Sequence, residues 1–310
     1  MRPTLATALL LLLMAVIWGV NYSAVKYGGR ALTPLAFTWA RVLLAAITLS
    51  AVALVQRRTS RENASSDGGA SATRSTHPTR RDMLALLALG ILGNGAYQLC
   101  FVLGVARTRV ADAVLIVASA PAFIAIISRL RGVERIRPRA AGGIVLTIVG
   151  VAIVMIGSAT QSHTGQAVQG TAVGTALVSL GVLCWSVYTV AVQPYTVRVD
   201  PVQLNALTMT GGMIPLVFLT PMALGGIPFR TAPTFAWWCL LYSSVGSLAI
   251  AYLFWYRGIR VLGPTRTSAY ANLQPVVAIL VGWLALGEVP TVWQILGTVT
   301  IISGIFLTRA

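Results

Sequence analysis

Residues 104–150 read GVARTRVADAVLIVASAPAFIAIISRLRGVERIRPRAAGGIVLTIVG, and residues 258–304 read GIRVLGPTRTSAYANLQPVVAILVGWLALGEVPTVWQILGTVTIISG. Shifted by 154 positions, the first stretch lays Gly104, Pro121, Glu134, Gly143 and Gly150 on Gly258, Pro275, Glu288, Gly297 and Gly304. Upstream, a shift of 167 lays Trp18, Ala24 and Pro34 on Trp185, Ala191 and Pro201. The shifts differ because the first copy carries a longer polar segment at about Gln56–Arg81. The chain is an internal repeat, with its copies at residues 1–157 and 172–310.

Both copies are too apolar for water. The 310 residues are 56% hydrophobic and 10% charged, where a soluble domain carries about 25% charged residues. No Asp, Glu, Lys or Arg lies between Arg139 and Arg198. A span needs about 20 mostly apolar residues to cross the hydrocarbon core. That rule predicts ten spans, near 5–24, 35–55, 83–104, 111–128, 140–157, 172–193, 203–222, 236–255, 267–286 and 292–308. The fourth is short and is expected to extend into an interface. The runs lack the strict alternation of membrane strands, so helices are favoured over a barrel. The expected fold class is an all-α integral membrane protein of ten transmembrane helices, without a separate soluble domain. Five helices per copy is an odd number, so the copies are expected to be inverted relative to each other. Inverted repeats are a common plan of secondary transporters, whose sites lie at the repeat interface.

The formal charge of +16 is a topology signal rather than a nucleic-acid footprint. One set of alternating loops holds most of the arginines, among them Arg57, Arg58, Arg61, Arg80, Arg81, Arg129, Arg131, Arg135, Arg137 and Arg139. The other holds only Lys26, Arg30, Arg107, Arg109 and Arg230. Basic loops stay cytoplasmic, which predicts cytoplasmic termini and a multi-pass protein of the plasma (in a bacterium, inner) membrane. Met1–Ala15 could pass for a signal peptide, but the repeat landmarks Trp18 and Ala24 place the segment in the repeated unit as a retained helix. The Ser-, Thr- and Arg-rich segment from residue 57 to 81 is expected to be a disordered cytoplasmic loop. Cys100, Cys184 and Cys239 all fall in spans without metal-ligand spacing, and His77 and His163 are loop residues. No metal, cofactor or disulfide framework is expected.

Trp18-Gly19-Val20-Asn21, the Phe37–Arg41 segment followed by Leu43, Leu44 and Ala45, Pro121 and Pro275, and Leu286-Gly287-Glu288 together resemble the EamA-type drug/metabolite transporter superfamily. The resemblance covers nearly the whole chain outside the residue 57–81 segment. It implies export, or less often uptake, of small metabolites through a cavity lined chiefly by spans 1, 3, 4, 6, 8 and 9. Spans 5 and 10 would lie at the periphery. The copies depart from each other at Trp18-Gly19 against Trp185-Ser186 and at Arg41 against Thr208, so they are not interchangeable.

Candidate lining residues are polar side chains, which must find partners away from hydrocarbon, and aromatics that recur at matching depth in the two copies. Trp18 and Tyr22 form an i,i+4 pair on span 1, as Trp185 and Thr189 do on span 6, with Asn21 and Tyr188 at matching depth. Span 3 contributes Asn94, Tyr97 and Gln98, span 8 contributes Ser247, Tyr252 and Tyr256, and span 9 contributes Ser268, Tyr270, Asn272 and Gln274. Those put forward as substrate-binding are Trp18, Asn21, Tyr22, Arg41, Asn94, Tyr97, Trp185, Tyr188, Tyr252, Tyr270, Asn272 and Gln274. Packing, interfacial anchoring and interhelical hydrogen bonding account for the same residue types equally well. Pro121 and Pro275 would free a backbone carbonyl and serve as hinges. The many glycines of spans 5 and 10 read as close packing.

Arg41 lies about 9 Å inside its span, and three readings stay open: snorkelling to the surface, holding neighbouring carbonyls, or meeting an anionic group of a substrate. No Asp, Glu or His falls at mid-membrane, so facilitated diffusion or exchange is expected rather than proton coupling, with Asp112 the one candidate exception. No Walker-type loop is present. The partners expected are the lipid bilayer and a small neutral, zwitterionic or amphipathic solute; oligomeric state is open. A membrane-embedded transferase would need paired acids or a metal cluster, none of which is visible. A subunit without flux is the remaining alternative.

Overall fold

The computed structural model describes residues 3–66, 78–132, 171–225 and 231–309, with short helical pieces between 142 and 156. All secondary structure among the described residues is helical. Six helical stretches are long and apolar enough to cross a membrane: Leu5–Ala31, Pro34–Gln56, Arg80–Ala106, Val110–Leu130, Ala172–Arg198 and Thr234–Leu262. Their outward faces carry Leu5, Leu12, Ile47, Leu54, Leu84, Leu180 and Trp238 exposed. Apolar side chains so presented belong in lipid rather than water. The chain is a multi-pass membrane protein.

The first copy opens with α1 (Pro3–Ala31) and α2 (Pro34–Ser66). Each outruns its predicted span. Extension of α1 past residue 24 carries Lys26 into the helix, and α2 continues into the segment expected to be disordered, of which residues 67–77 lie outside the described residues. α3 (Arg80–Gly90) starts at a capping box, in which the Thr79 side chain accepts from Asp82 N and Asp82 accepts from Thr79 N. Both groups are satisfied reciprocally. A π-helical stretch (Ile91–Ala96) joins α3 to α4 (Tyr97–Ala106). The next rod is broken into α5 (Val110–Val117) and α6 (Ala120–Leu130). It spans Val110–Leu130, longer than expected, and 78% of its apolar window is buried against 39–56% in the other five. It is a central element rather than an interfacial one.

The second copy opens with α7 (Thr171–Arg198) and α8 (Pro201–Val217). Asp200 caps α8 by accepting from Val202 N and Gln203 N, with Pro201 just inside the helix, where its missing N–H costs nothing. A short α9 (Thr220–Gly225) follows. α10 (Thr234–Leu241) passes through a π-helical stretch (Tyr242–Ile250) into α11 (Ala251–Leu262). α12 (Pro264–Tyr270) leads through the 3-10 turn Ala271–Leu273 to α13 (Gln274–Leu286), and α14 (Val292–Arg309) closes the chain.

The copies share their irregularities. Both π-helical stretches fall at positions related by the 154-residue shift, and such bulges concentrate at functional sites. Pro121 and Pro275 each sit in the first turn of a helix restarting after a break. They do not interrupt the middle of a helix. They occupy the one part of a helix where a missing N–H is free.

Packing between the copies is reciprocal. α2 packs on the π stretch of the second copy, and α8, its counterpart, packs on α3 and the π stretch of the first. The α3–α8 approach depends on glycine: a Cβ at Gly90 would lie 2.1 Å from Thr208 O, and one at Gly211 2.2 Å from Leu87 O. α1 runs through the middle, against α4, α10, α11 and α13. In the described part of span 5, a Cβ at Gly150 would lie 2.7 Å from Ile301 Cγ1 and 3.1 Å from Gly297 O of α14. The helical piece around Gly150 and α14 therefore meet closely at glycine.

Candidate functional site

A cavity of roughly 640 Å³, counting its open mouth, lies between the two copies. α1, α2, α4, α5 and α6 wall it from the first copy. α7, the second π stretch, α11, α12 and the α12–α13 junction wall it from the second.

Its aromatic floor forms where the copies touch. The Trp18 and Trp185 rings, equivalent under the 167-residue shift, meet edge-on with centroids 5.8 Å apart. Trp255 is tilted against both at 5.4 Å, and Tyr252 stands edge-on to Trp18 and Trp185 at 5.7 and 5.5 Å. Such geometries align ring edges with ring faces. Trp18 Nε1 donates to Ser247 O at 3.1 Å, which fixes its indole. Gln98 and Tyr252, equivalent under the 154-residue shift, also meet, Gln98 Nε2 donating to Tyr252 Oη at 3.0 Å. Asn21 Oδ1 accepts from Ser243 Oγ at 2.8 Å.

Of the residues put forward from the sequence, Trp18, Asn21, Tyr22, Arg41, Tyr97, Trp185, Tyr252 and Gln274 line this cavity, as do Pro121 and Pro275. Three do not. Asn94 lies instead in the tight contact with Gly212 of α8, whose Cβ would fall 2.7 Å from Asn94 Cβ. Tyr188 shares a short hydrogen bond with Tyr256, itself 3.4 Å from Thr208 Oγ1, in a buried hydroxyl cluster behind the wall. Tyr270 is half-buried beside the cavity but not part of its lining. The Asn272 side chain lies outside the described residues. Trp255 and Phe101 were missed: each is an aromatic in an apolar run, and only the fold aims them inward.

Arg41 is 1% exposed. Its guanidinium has not snorkelled to a surface, and Nε and Nη1 meet no hydrogen-bond partner among the described residues. The reading in which it holds neighbouring carbonyls finds no such bond at these two donors.

Beyond Tyr22 on α1, outside the cavity lining, lies a charged cluster whose joint role the sequence reading missed. Lys26 of α1, fully buried, pairs with Glu288 after α13 through a short salt bridge and donates to Thr108 O at 2.6 Å. Glu288 Oε2 accepts from Val110 N at 2.7 Å. Arg109 donates to Val289 O, and Gln294 Nε2 donates to Asp112 Oδ1 at 2.6 Å. Gly287 makes this possible. Its φ of +69° lies in the left-handed region, open to glycine at no steric cost, and turns Glu288 back onto the bundle. The loops after α4 and α13 are thereby tied to α1. Length of α1 was the missing signal, since the predicted span stopped short of Lys26.

Comparison with known proteins bears on this arrangement. A model of the EamA-like transporter family matches residues 5–156 and again residues 172–310. An uncharacterized transporter of Archaeoglobus fulgidus is 24% identical over 302 residues, covering 96% of this chain and 97% of that one. A "probable terminal-alkyne amino-acid exporter" of Streptantibioticus cattleyicolor is 25% identical over 299 residues, covering 96% and 91%. A solved crystal structure, 18% identical, superposes with a TM-score of 0.65 over 97% of this chain and 96% of its own, a likeness of fold. Matched twice along its length, the chain belongs to the EamA-like transporter family.

Proposed function

We propose that this protein is a secondary transporter that exports small metabolites or amphipathic solutes across the plasma membrane by alternating access. Its ten spans form two inverted five-helix repeats, residues 1–157 and 172–310, with both termini cytoplasmic. The observation that carries the reading is the cavity between the copies, across which repeat-equivalent residues touch: Trp18 with Trp185, and Gln98 with Tyr252. Equivalent residues meet each other only near a pseudo-two-fold axis, and inverted repeats bind substrate there. The double match of the family model supports the same division.

On the proposed topology the Lys26–Glu288 cluster lies at the outer face, so the conformation is closed outward. Outward opening separates α1 from the α13–α14 loop, while the broken rods at Pro121 and Pro275 take up the movement. Relatives named as transporters, one of them as an amino-acid exporter, support a small solute and the outward direction. The test is flux of radiolabelled L-phenylalanine and a panel of neutral and zwitterionic solutes into vesicles holding the purified protein. Saturable movement of at least one chemically unchanged solute is expected. A folded protein that moves none would sink the reading in favour of a subunit without flux, and a chemically altered solute would favour a transferase.

A further inference from the structure

Among the described residues, the wall of the cavity holds one cation and no anion to balance it. Guanidinium cannot shed its proton in a protein, so Arg41 keeps its charge while 1% exposed. An uncompensated buried charge is among the costliest features a fold can carry. Among the described side chains, the carboxylates are engaged elsewhere: Glu288 with Lys26 and Val110 N, Asp112 with Gln294, Asp82 with Thr79, and Asp200 with the start of α8. The titratable side chains that share the wall with Arg41 are the phenols of Tyr22, Tyr97 and Tyr252, which are not anions at neutral pH.

Hydrogen bonding in the wall is unbalanced in the same sense. Buried lining atoms without a partner among the described residues are three donors, Arg41 Nε, Arg41 Nη1 and Trp255 Nε1, and one acceptor, Gln98 Oε1. Unmade bonds to buried donors are expensive, and a surplus of donors is met by a ligand rich in acceptors. Around these atoms the surface is aromatic and aliphatic: Trp18, Trp185, Tyr252, Phe101, Val114 and Ile124. A single cation in such a wall matches a single negative charge. A phosphate monoester, with close to two charges, would be left half-neutralised.

Resting on the reading of this cavity as the substrate site, we propose that its ligand is an organic monocarboxylate with an apolar or aromatic body. Arg41 holds the carboxylate, and the tryptophan cluster packs the body. An α-ammonium group is compatible with this site but is not what it recognises. Arg41 has Thr208 as its counterpart in the second copy, so carboxylate recognition is a property of one half.

The test compares three probes that share a ring and chain, phenylacetate, phenylacetamide and phenethylammonium, by tryptophan fluorescence of the purified full-length protein in lipid nanodiscs. Phenylacetate is expected to bind about tenfold more tightly than the amide, the typical margin of a charge-assisted bond over a neutral one, with the cation weakest. Arg41→Gln should abolish the preference for phenylacetate, and Arg41→Lys should retain it at weaker affinity. Equal binding of phenylacetate and phenylacetamide to the unaltered protein would overturn the proposal, whatever the variants do. So would a preference that survives Arg41→Gln. If Arg41→Gln does not fold, loss of the preference in Arg41→Lys while ring binding persists would overturn it, and its retention would support it. Binding is read here without flux. A silent vesicle assay beside an intact carboxylate preference therefore counts against transport alone, and equal binding of the amide counts against the carboxylate alone.

Discussion

Substitution of Glu288 by Gln isolates the charge of the closing cluster while keeping its shape. Glutamine retains an acceptor for Val110 N–H, bonded at 2.7 Å in the parent, so what is lost is the anion facing Lys26. Lys26 is 0% exposed and would keep only the Thr108 carbonyl. Removing one partner of a buried pair costs about 3–5 kcal/mol, because the remaining charge stays buried. The retained hydrogen bonds place Glu288→Gln near 3 kcal/mol. Lys26→Met should cost less, since Glu288 is 15% exposed and still accepts from Val110 N. The double variant should lie closer to the parent than Glu288→Gln does, because replacing both charges of a buried pair is often nearly neutral. Reversible unfolding of the purified single and double variants gives the coupling directly. Singles that each cost under about 0.5 kcal/mol and add in the double would refute the reasoning, for that is how an exposed pair behaves.

Three further outcomes are expected. In a variant with Cys100, Cys184 and Cys239 replaced by Ser, cysteines placed at Ser66 and, separately, Gly165 should react with an impermeant maleimide only from opposite faces of the membrane, Ser66 from the cytoplasm; labelling of Ser66→Cys in intact cells would overturn the inverted topology. Vesicles should equilibrate solute at a rate indifferent to an imposed pH gradient, because Asp112 and Glu288 are engaged at one end of the bundle rather than along the cavity; uphill accumulation that Asp112→Asn abolishes would contradict this. Gly90→Leu should abolish folded protein in the membrane, since even its Cβ falls 2.1 Å from Thr208 O, whereas Gly132→Asn, with φ of +71° and nothing within 4 Å of the added Cβ, should accumulate normally; normal levels of Gly90→Leu would refute the close α3–α8 contact.

Much of the architecture was legible without coordinates. Periods of apolar residues, set by bilayer thickness, announced helices in a membrane. The pairing of Trp18 with Trp185 by sequence shift was followed by ring contact in space. Trp18, Asn21, Tyr22, Arg41, Tyr97, Trp185, Tyr252 and Gln274 were put forward as lining from their chemistry and their matching places in the two copies, because a polar side chain deep in an apolar helix turns inward. Helix ends were less legible. α1 continues past its predicted limit because membrane hydropathy registers lipid contact, whereas Lys26 is held inside by a partner 262 positions away.

Sequence by itself determined the solvent, the helical class, the repeat and the kinds of side chain available for a site, since all of these follow from composition and local order. Tertiary structure alone decided which of those side chains share a cavity. Asn94 and Tyr188 matched the lining residues in type and depth, yet Asn94 packs closely at Gly212 and Tyr188 bonds to Tyr256, and neither lines the cavity. Trp255 joined the wall with no local mark to distinguish it from a packed aromatic. The three readings of Arg41 were likewise inseparable from its place in the chain. They separate on burial and on hydrogen-bond partners, which other helices supply, and a charge answers to everything within a few ångströms of it regardless of sequence distance.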